Sequence, residues 1–354
     1  MSLPFTPLTR EGPAEAPPSK LPTARLGRTG LDLPRLGLGC AGLGELFTPV
    51  SEAQAGELLQ AAWEAGVRYF DTSPWYGRGK SEHRVGRFLW DKPRGAVTIS
   101  TKVGRVLERR PDPAVPIADQ WIGGLPFRPR FDFSYDGVMR SFEDSLQRLG
   151  IDSVDMLVIH DLDAWHFEPE AFEAAFAMLA GSGWRALDDL RSSGAVKAVG
   201  AGINLDGHTG RFLDAMPLDF FLVALRLTLL EHRAFVGDEM PRLVREGVGV
   251  VIGGVFSSGL GATGPVEGAR FNYAPADEAI LAHAGAIEAV CRRHGVPLAA
   301  AALQFPLRVA GVAAVIPGAV RAAEWREIDG WFGTAIPDGL WAELESEGLV
   351  AAVG

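Results

Sequence analysis

The stretch VRYFDTSPWYGRGKSEHRVGRFL, residues 67–89, reads as a strand, a polar turn and a helix in that order. A mostly apolar run at 67–70 ends in Asp71. Tyr76 follows in the turn, then Gly77 and Gly79, and a helix is expected from about 81 to 89. A turn needs neither a carboxylate nor a phenol, so the pair asks for a chemical reason. The same pattern continues on both sides. Upstream, Ser51 is a good N-cap for a helix that places Leu58, Leu59, Ala62 and Trp63 on one face. Downstream, AVTIST at 96–101 ends at Lys102. An amphipathic helix at 134–150, with Val138, Phe142, Leu146 and Leu149 on one face, leads into VDMLVIH, which ends at His160.

Further helix–strand pairs end in AVKAVGAG, LDFFLVAL, GVGVVIGG and GVAAVIPG. That makes about eight strand–helix units, the number that closes a (β/α)8 barrel. The strands are short and apolar on both faces, as in a parallel sheet covered by helices. The expected fold is therefore α/β, a (β/α)8 TIM barrel. A hairpin within ARLGRTGLDLPRLGLG, turning at Thr29-Gly30, precedes it. Residues 1–24 are Pro-rich and read as a flexible tail, and 25–354 read as one domain. The Pro- and Arg-rich span 103–132 is too long for a bare connector and is expected to be an active-site loop.

Composition narrows the function. The 354 residues carry 44 acids and 34 bases, a net charge of −10. An acidic chain is poorly suited to neutralising phosphates, so nucleic acid is not an expected partner. There is no run of 18 apolar residues and no signal-peptide pattern at the N-terminus, so neither a membrane span nor export is expected. The two cysteines, Cys40 and Cys291, form no metal or disulfide motif and suit the reducing cytoplasm. GLGCAG, residues 37–42, matches G-x-G-x-x-G. A dinucleotide fold needs a helix opening on the last glycine. Here the helix starts only near Ser51, past Pro49, so a tight loop beside a ligand or a plain turn is the better account.

Asp71, Lys102 and His160 fall at successive strand ends, and Tyr76 lies in the loop after the first of them. In a TIM barrel these points share the C-terminal face, where active sites are built. The four residue types make one chemistry. A phenol near pKa 10 is a poor proton carrier at neutral pH, and an adjacent ammonium favours its phenolate. Lys102 is expected to act so on Tyr76, with Asp71 holding the lysine and His160 orienting the oxygen that exchanges a proton with Tyr76. Such a group polarises a carbonyl or deprotonates an alcohol. No nucleophile–base pair for acyl transfer and no metal-ligand cluster stands out.

At these residues, from about 25 to 330, the chain resembles the aldo-keto reductase superfamily. YFDTSPWYG, STKVG and VDMLVIHDLD carry the resemblance, and all four members of the family's catalytic tetrad fall on Asp71, Tyr76, Lys102 and His160. What it implies is an extended nicotinamide cofactor bound without a Rossmann fold, with hydride passing between its C4 and the substrate carbon. FDFSYDGVMRSFEDSLQRLG, VGAGIN and SSGL look most like the D-threo-aldose 1-dehydrogenase and pyridoxal 4-dehydrogenase branch. That branch implies an NAD-dependent dehydrogenase turning an aldose or pyridoxal hemiacetal into a lactone. A general aldehyde or ketone reductase, and a non-catalytic regulatory barrel that binds the cofactor, are the alternatives.

The departures from the family pattern bear on the cofactor. NADP-preferring members clamp the 2′-phosphate with a lysine, a serine and an arginine. In IPGAVRAAEWREI the matching positions are Gly318, Ala319 and Glu324, while Glu327 keeps the family's acid. NAD is therefore expected over NADP, with Glu324 accepting from ribose hydroxyls and Arg321 the one nearby cation. Ile316, Val320, Gly42 and Leu260 are the other cofactor contacts the resemblance implies. Asn204 is expected at the carboxamide, and Phe256 to stack on the nicotinamide. Arg226 has no counterpart. Phe47, Trp75, Trp121, Phe127 and Trp165, all in expected strand-end loops, are the candidate substrate walls.

Overall fold

The computed structural model describes residues 19–353 except 113, 115, 116 and 118. Most of the expected tail lies outside the described residues. Ser19 to Pro22 lie on the barrel, with the Ser19 hydroxyl donating to Gly66 O (2.8 Å). The hairpin begins at Thr23, inside the segment read as tail, and pairs β1 (Thr23–Arg25) with β2 (Asp32–Pro34).

The barrel strands are β3 (Leu38–Gly39), β4 (Tyr69–Asp71), β5 (Thr98–Val103), β8 (Val154–Ile159), β9 (Val196–Ile203), β10 (Phe220–Ala224), β11 (Gly249–Gly253) and β14 (Val312–Ile316). They pair in parallel in chain order, and bridges from Leu36 to Val315 and from Gly39 to Gly318 bring the last strand beside the first. The result is the expected α/β barrel, nearly closed. Strand β4 runs one residue later than its apolar pattern suggests, because Asp71 itself pairs with Ser100.

Period-two alternation sorts the side chains into two cores. Leu26, Leu33, Tyr69, Met156, Val158, Phe220, Leu222 and Ile316 fill the barrel's interior, the first two contributed by the hairpin. Phe70, Ile99, Leu157, Phe221 and Val315 face outward into the layer shared with the helices. Each such side chain contributes roughly 1.5–3 kcal/mol by leaving water. Ser51 caps the helix Glu52–Glu64 in a reciprocal box with Gln54, and Leu58, Leu59 and Ala62 are its buried face.

The span 103–132 is more ordered than a loop. Within it β6 (Arg105–Arg109) and β7 (Phe127–Phe131) form an antiparallel ribbon. Its exposed alternation of arginine with phenylalanine and proline lacks a clean apolar face, which is why it does not read as strand from sequence. Gly104 at φ 105° makes the turn from β5 into this ribbon, where a Cβ would come within 2.3 Å of the Phe133 ring. A second hairpin, β12 (Arg270–Phe271) with β13 (Ala274–Pro275), follows β11.

Candidate active site

Strand parity explains why the polar residues meet. Tyr69 and Val158 point into the barrel, and two residues on, at the C-terminal ends of their strands, stand Asp71 and His160. Lys102 stands two residues beyond Ser100, whose hydroxyl donates to Asp71 Oδ1 (2.6 Å). Lys102 Nζ donates to Asp71 Oδ2 (2.7 Å) and to Thr72 O (2.8 Å), with both charged side chains only 2% exposed. The same Nζ lies 4.6 Å from the Tyr76 ring centroid, and the His160 ring meets Tyr76 edge-on at 5.9 Å. Tyr76 is carried by a loop that only glycine permits. Gly77 has φ 63°, and a Cβ there would lie 2.6 Å from Gly44 O.

The electrostatics differ from the sequence expectation in one respect. Burial pushes the Tyr76 phenol well above its usual value, and the charges of Asp71 and Asp161 push the same way. Lys102 does not reverse this, because Asp71 and the Thr72 carbonyl absorb its charge at hydrogen-bond distance. Tyr76 is thus a neutral phenol in this environment. Burial also drives His160 down to about 3, so its imidazole is neutral.

Above this floor lies a cavity of about 400 Å³. Phe47, Trp75, Trp121 and Trp165 line it, as the sequence suggested, together with Tyr76, Lys102, His160 and Asn204. Trp121 packs on both Trp75 (5.7 Å) and Tyr76 (5.6 Å), and its buried indole N–H has no hydrogen-bond partner among the described residues. It is placed by Arg78, which pairs with Asp119 (2.5 Å) and donates to Leu125 O (2.6 Å). Phe127 does not line the cavity: it sits on the ribbon strand β7, among its exposed residues. Phe256 does not reach it either, since its ring packs edge-on against Trp331 at 5.7 Å on the helical side of β11.

Several groups at the cavity were not singled out from the sequence. Asp161 follows His160 with φ 53°, a strained backbone for an aspartate. Arg105 pairs with it at 2.9 Å and is itself sandwiched between Trp75 (4.5 Å) and Phe131 (3.9 Å). Burial, which would raise the Asp161 carboxyl, is outweighed by His160, Arg105 and His166, and its pKa is lowered. Asp161, Asp163 and His166 bring ligand atoms within 4.8 Å of one another. Asn204 Nδ2 already donates to Asp161 (3.2 Å) and Asp163 (2.8 Å), and Arg105 takes the other Asp161 oxygen, so the cluster is internally satisfied rather than a metal cradle.

Tyr273 also lines the cavity, from the β12–β13 hairpin. Arg226 pairs with Glu231 and donates to Asn272 Oδ1 (2.7 Å), and Tyr273 N donates to Ser258 Oγ (2.9 Å). Arg226 therefore latches the hairpin that presents Tyr273. Only the HDLD run, with its acids directly after a strand-end histidine, carried a signal for any of these groups.

The residues expected at the cofactor form a second region along the seam of β14 and β3. Gly318 pairs with Gly39, and Gly42 lies so close to Ala319 O that a Cβ would be 2.5 Å from it. Ile316 and Leu260 are buried, Val320 is partly buried and Glu327 is exposed. Glu324 accepts from Val320 N (2.8 Å) and Arg321 N (3.3 Å), and pairs with the Arg321 guanidinium at 2.5 Å. The N–H groups and the cation at the start of helix Ala322–Phe332 are thus already answered by one carboxylate.

The family model described as Aldo/keto reductase family matches residues 35–347. Pyridoxal 4-dehydrogenase of Microbacterium luteolum is 42% identical over 92% of this chain and 97% of its own length. D-threo-aldose 1-dehydrogenase of a Pseudomonas species is 39% identical over 91% and 96%. Among solved structures, a glycerol dehydrogenase from Gluconobacter oxydans covers 92% of this chain and 94% of its own, with a TM-score of 0.68 at 21% identity. An aldo-keto reductase from Bacillus halodurans covers 94% and 98% with a TM-score of 0.69, also at 21% identity.

Proposed function

Because this chain belongs to the aldo/keto reductase family, we propose that it is an NAD-dependent dehydrogenase of cyclic hemiacetals. Its substrates would be an aldose such as L-fucose or the hemiacetal of pyridoxal, and its product a lactone. The observation that carries this reading is the buried Asp71–Lys102 pair beneath Tyr76, with His160 edge-on, at the floor of an aromatic-walled cavity.

The residues present suit a nicotinamide cofactor laid along the seam of β14 and β3, where Gly318 leaves room that a side chain would fill and Gly42 lets its loop pack directly on the Ala319 backbone. When bound, NAD would supply the carbon that accepts hydride. Asn204 keeps its side-chain oxygen for a carboxamide while its nitrogen is committed to Asp161 and Asp163. Glu324, by neutralising Arg321 and occupying nearby N–H groups, disfavours a 2′-phosphate and supports NAD over NADP.

In oxidation Tyr76 first releases its phenol proton to solvent, and the phenolate oxygen then takes the anomeric hydroxyl proton, so this direction draws on the minor form of a phenol whose pKa is raised. His160 holds that hydroxyl in line, and the Lys102–Asp71 pair keeps a positive end near the phenol. The raised pKa keeps Tyr76 in the protonated form that carbonyl reduction with NADH requires, so reduction is the second reading, favoured by that one observation. Initial rates of NADH formation with L-fucose, D-arabinose, L-galactose and pyridoxal, set beside NADH oxidation with small aldehydes, separate the two. Turnover with hemiacetals and NAD supports the first, and turnover confined to aldehydes with NADH replaces it with the second.

A further inference from the structure

Ser73 stands two residues after Asp71 and is fully buried, yet no step so far uses it. Its Oγ lies 3.1 Å from His160 Nδ1, and the Trp75 backbone N–H donates to the same oxygen at 3.0 Å. A serine hydroxyl has one proton to give and two lone pairs to receive with. With Trp75 N–H on one lone pair, the hydroxyl proton needs an acceptor. Among the described residues the one it reaches is Nδ1.

We infer that Ser73 is a positioning residue that fixes the tautomer of His160, leaving Nδ1 bare and the proton on Nε2. The inference rests on the reading of Tyr76 and His160 given above. The opposite tautomer would aim two donors at one oxygen and bury the hydroxyl proton without an acceptor, an arrangement proteins avoid. A doubly protonated ring is disfavoured by the burial already described and by Lys102, Arg105 and His166 nearby, against which Asp161 is the one close carboxylate.

Among the described residues the proton on Nε2 finds no good acceptor. Asp161 Oδ2 is 3.4 Å away, too far for a good bond, and Arg105 already occupies that oxygen at 2.9 Å. Nε2–H therefore remains available on the face that His160 shares with Tyr76 and the cavity. Two groups then converge on one substrate oxygen: Tyr76, which exchanges the proton, and Nε2–H, which stabilises the charge that oxygen acquires. With the tautomer reversed, a lone pair would face the substrate oxygen and repel that charge.

The test joins spectroscopy to kinetics on the full chain. The ring nitrogens of 15N-histidine-labelled protein, with His160 assigned by His160→Gln, should show Nε2 protonated and Nδ1 bare. Ser73→Ala should move that pattern toward Nδ1–H and lower kcat roughly tenfold while the KM for NAD stays put. Ser73→Cys, which keeps a weaker donor, should recover part of both. A wild-type ring protonated at Nδ1, or a Ser73→Ala enzyme with wild-type kcat, overturns the inference. If Ser73→Ala does not fold, the wild-type spectrum still decides. The spectrum needs no turnover, so failure of the catalytic reading would show instead as undiminished activity in Tyr76→Phe.

Discussion

The cavity's floor and its rim are built on opposite principles. The floor is Asp71, Lys102 and His160, each on a parallel strand or directly after it, held by an ion pair and short hydrogen bonds in almost complete burial. The rim is Phe47, Trp165 and Tyr273, each on a connection between strands and each at least 44% exposed. A floor set by strand register cannot be adjusted without disturbing the barrel, whereas a rim carried on loops changes at little cost. Under the function proposed above, the contrast puts the chemistry in the part of the fold that register holds and the choice of substrate in the part that loops can change.

The sharpest way to break that contrast is Tyr76→Phe. It removes the proton-exchanging oxygen and leaves the packing, so kcat should fall by roughly 10²–10⁴ with little change in melting temperature. Near-normal turnover would end the assignment. Lys102→Met should abolish turnover too, but through a different signature. It strands Asp71 in the interior, at a cost of about 3–5 kcal/mol. Adding Asp71→Asn should restore stability in denaturant titration without restoring turnover. If the double variant is as active as wild type, the pair is structural only.

The floor should also show itself in acid. His160 has a folded pKa of about 3 against an ordinary 6.5. Between those values the unfolded chain binds the extra proton, so stability falls as pH drops through that window. His160→Asn should flatten this part of the stability profile. By the same token, kcat should show no inflection near 6.5 from this histidine.

Effects on the seam and on the cavity wall should be smaller. Glu324→Ser frees Arg321 and its neighbouring N–H groups, and should raise the NADP-to-NAD ratio of kcat/KM by roughly tenfold. An unchanged ratio would remove Glu324 from cofactor choice. Trp121→Phe deletes an indole N–H that has no partner among the described residues. If substrate is that partner, its KM should rise a few-fold, on the order of one hydrogen bond, with kcat retained.

The barrel was legible because its signal is local. Alternating apolar runs and amphipathic helices repeat along the chain, and the helix cap at Ser51 fell where the pattern placed it, with the strand ends at Lys102 and His160 within one residue of it. The ribbon β6–β7 was not legible, since β6 buries only Val106 and Leu107 beside Arg105 and β7 alternates arginine with phenylalanine and proline, so neither strand shows a clean apolar period. Phe127 and Phe256 show the limit for aromatics. A loop position says that a ring is near the mouth, not which way it turns.

The sequence by itself determined the barrel and the family, and brought Asp71, Lys102 and His160 to neighbouring strand ends, because residue type and strand parity are properties of the chain alone. Only the tertiary structure decided how those groups are tuned. Tyr76 is raised chiefly by its burial and then by the charges of Asp71 and Asp161, while Asp71 takes the nearest contact of Lys102. The role of Arg226 depends on a hairpin nearly fifty residues away, where Asn272 meets it and Tyr273 enters the cavity. Distances of a few ångströms between residues far apart in the chain set both outcomes, and no local pattern encodes them.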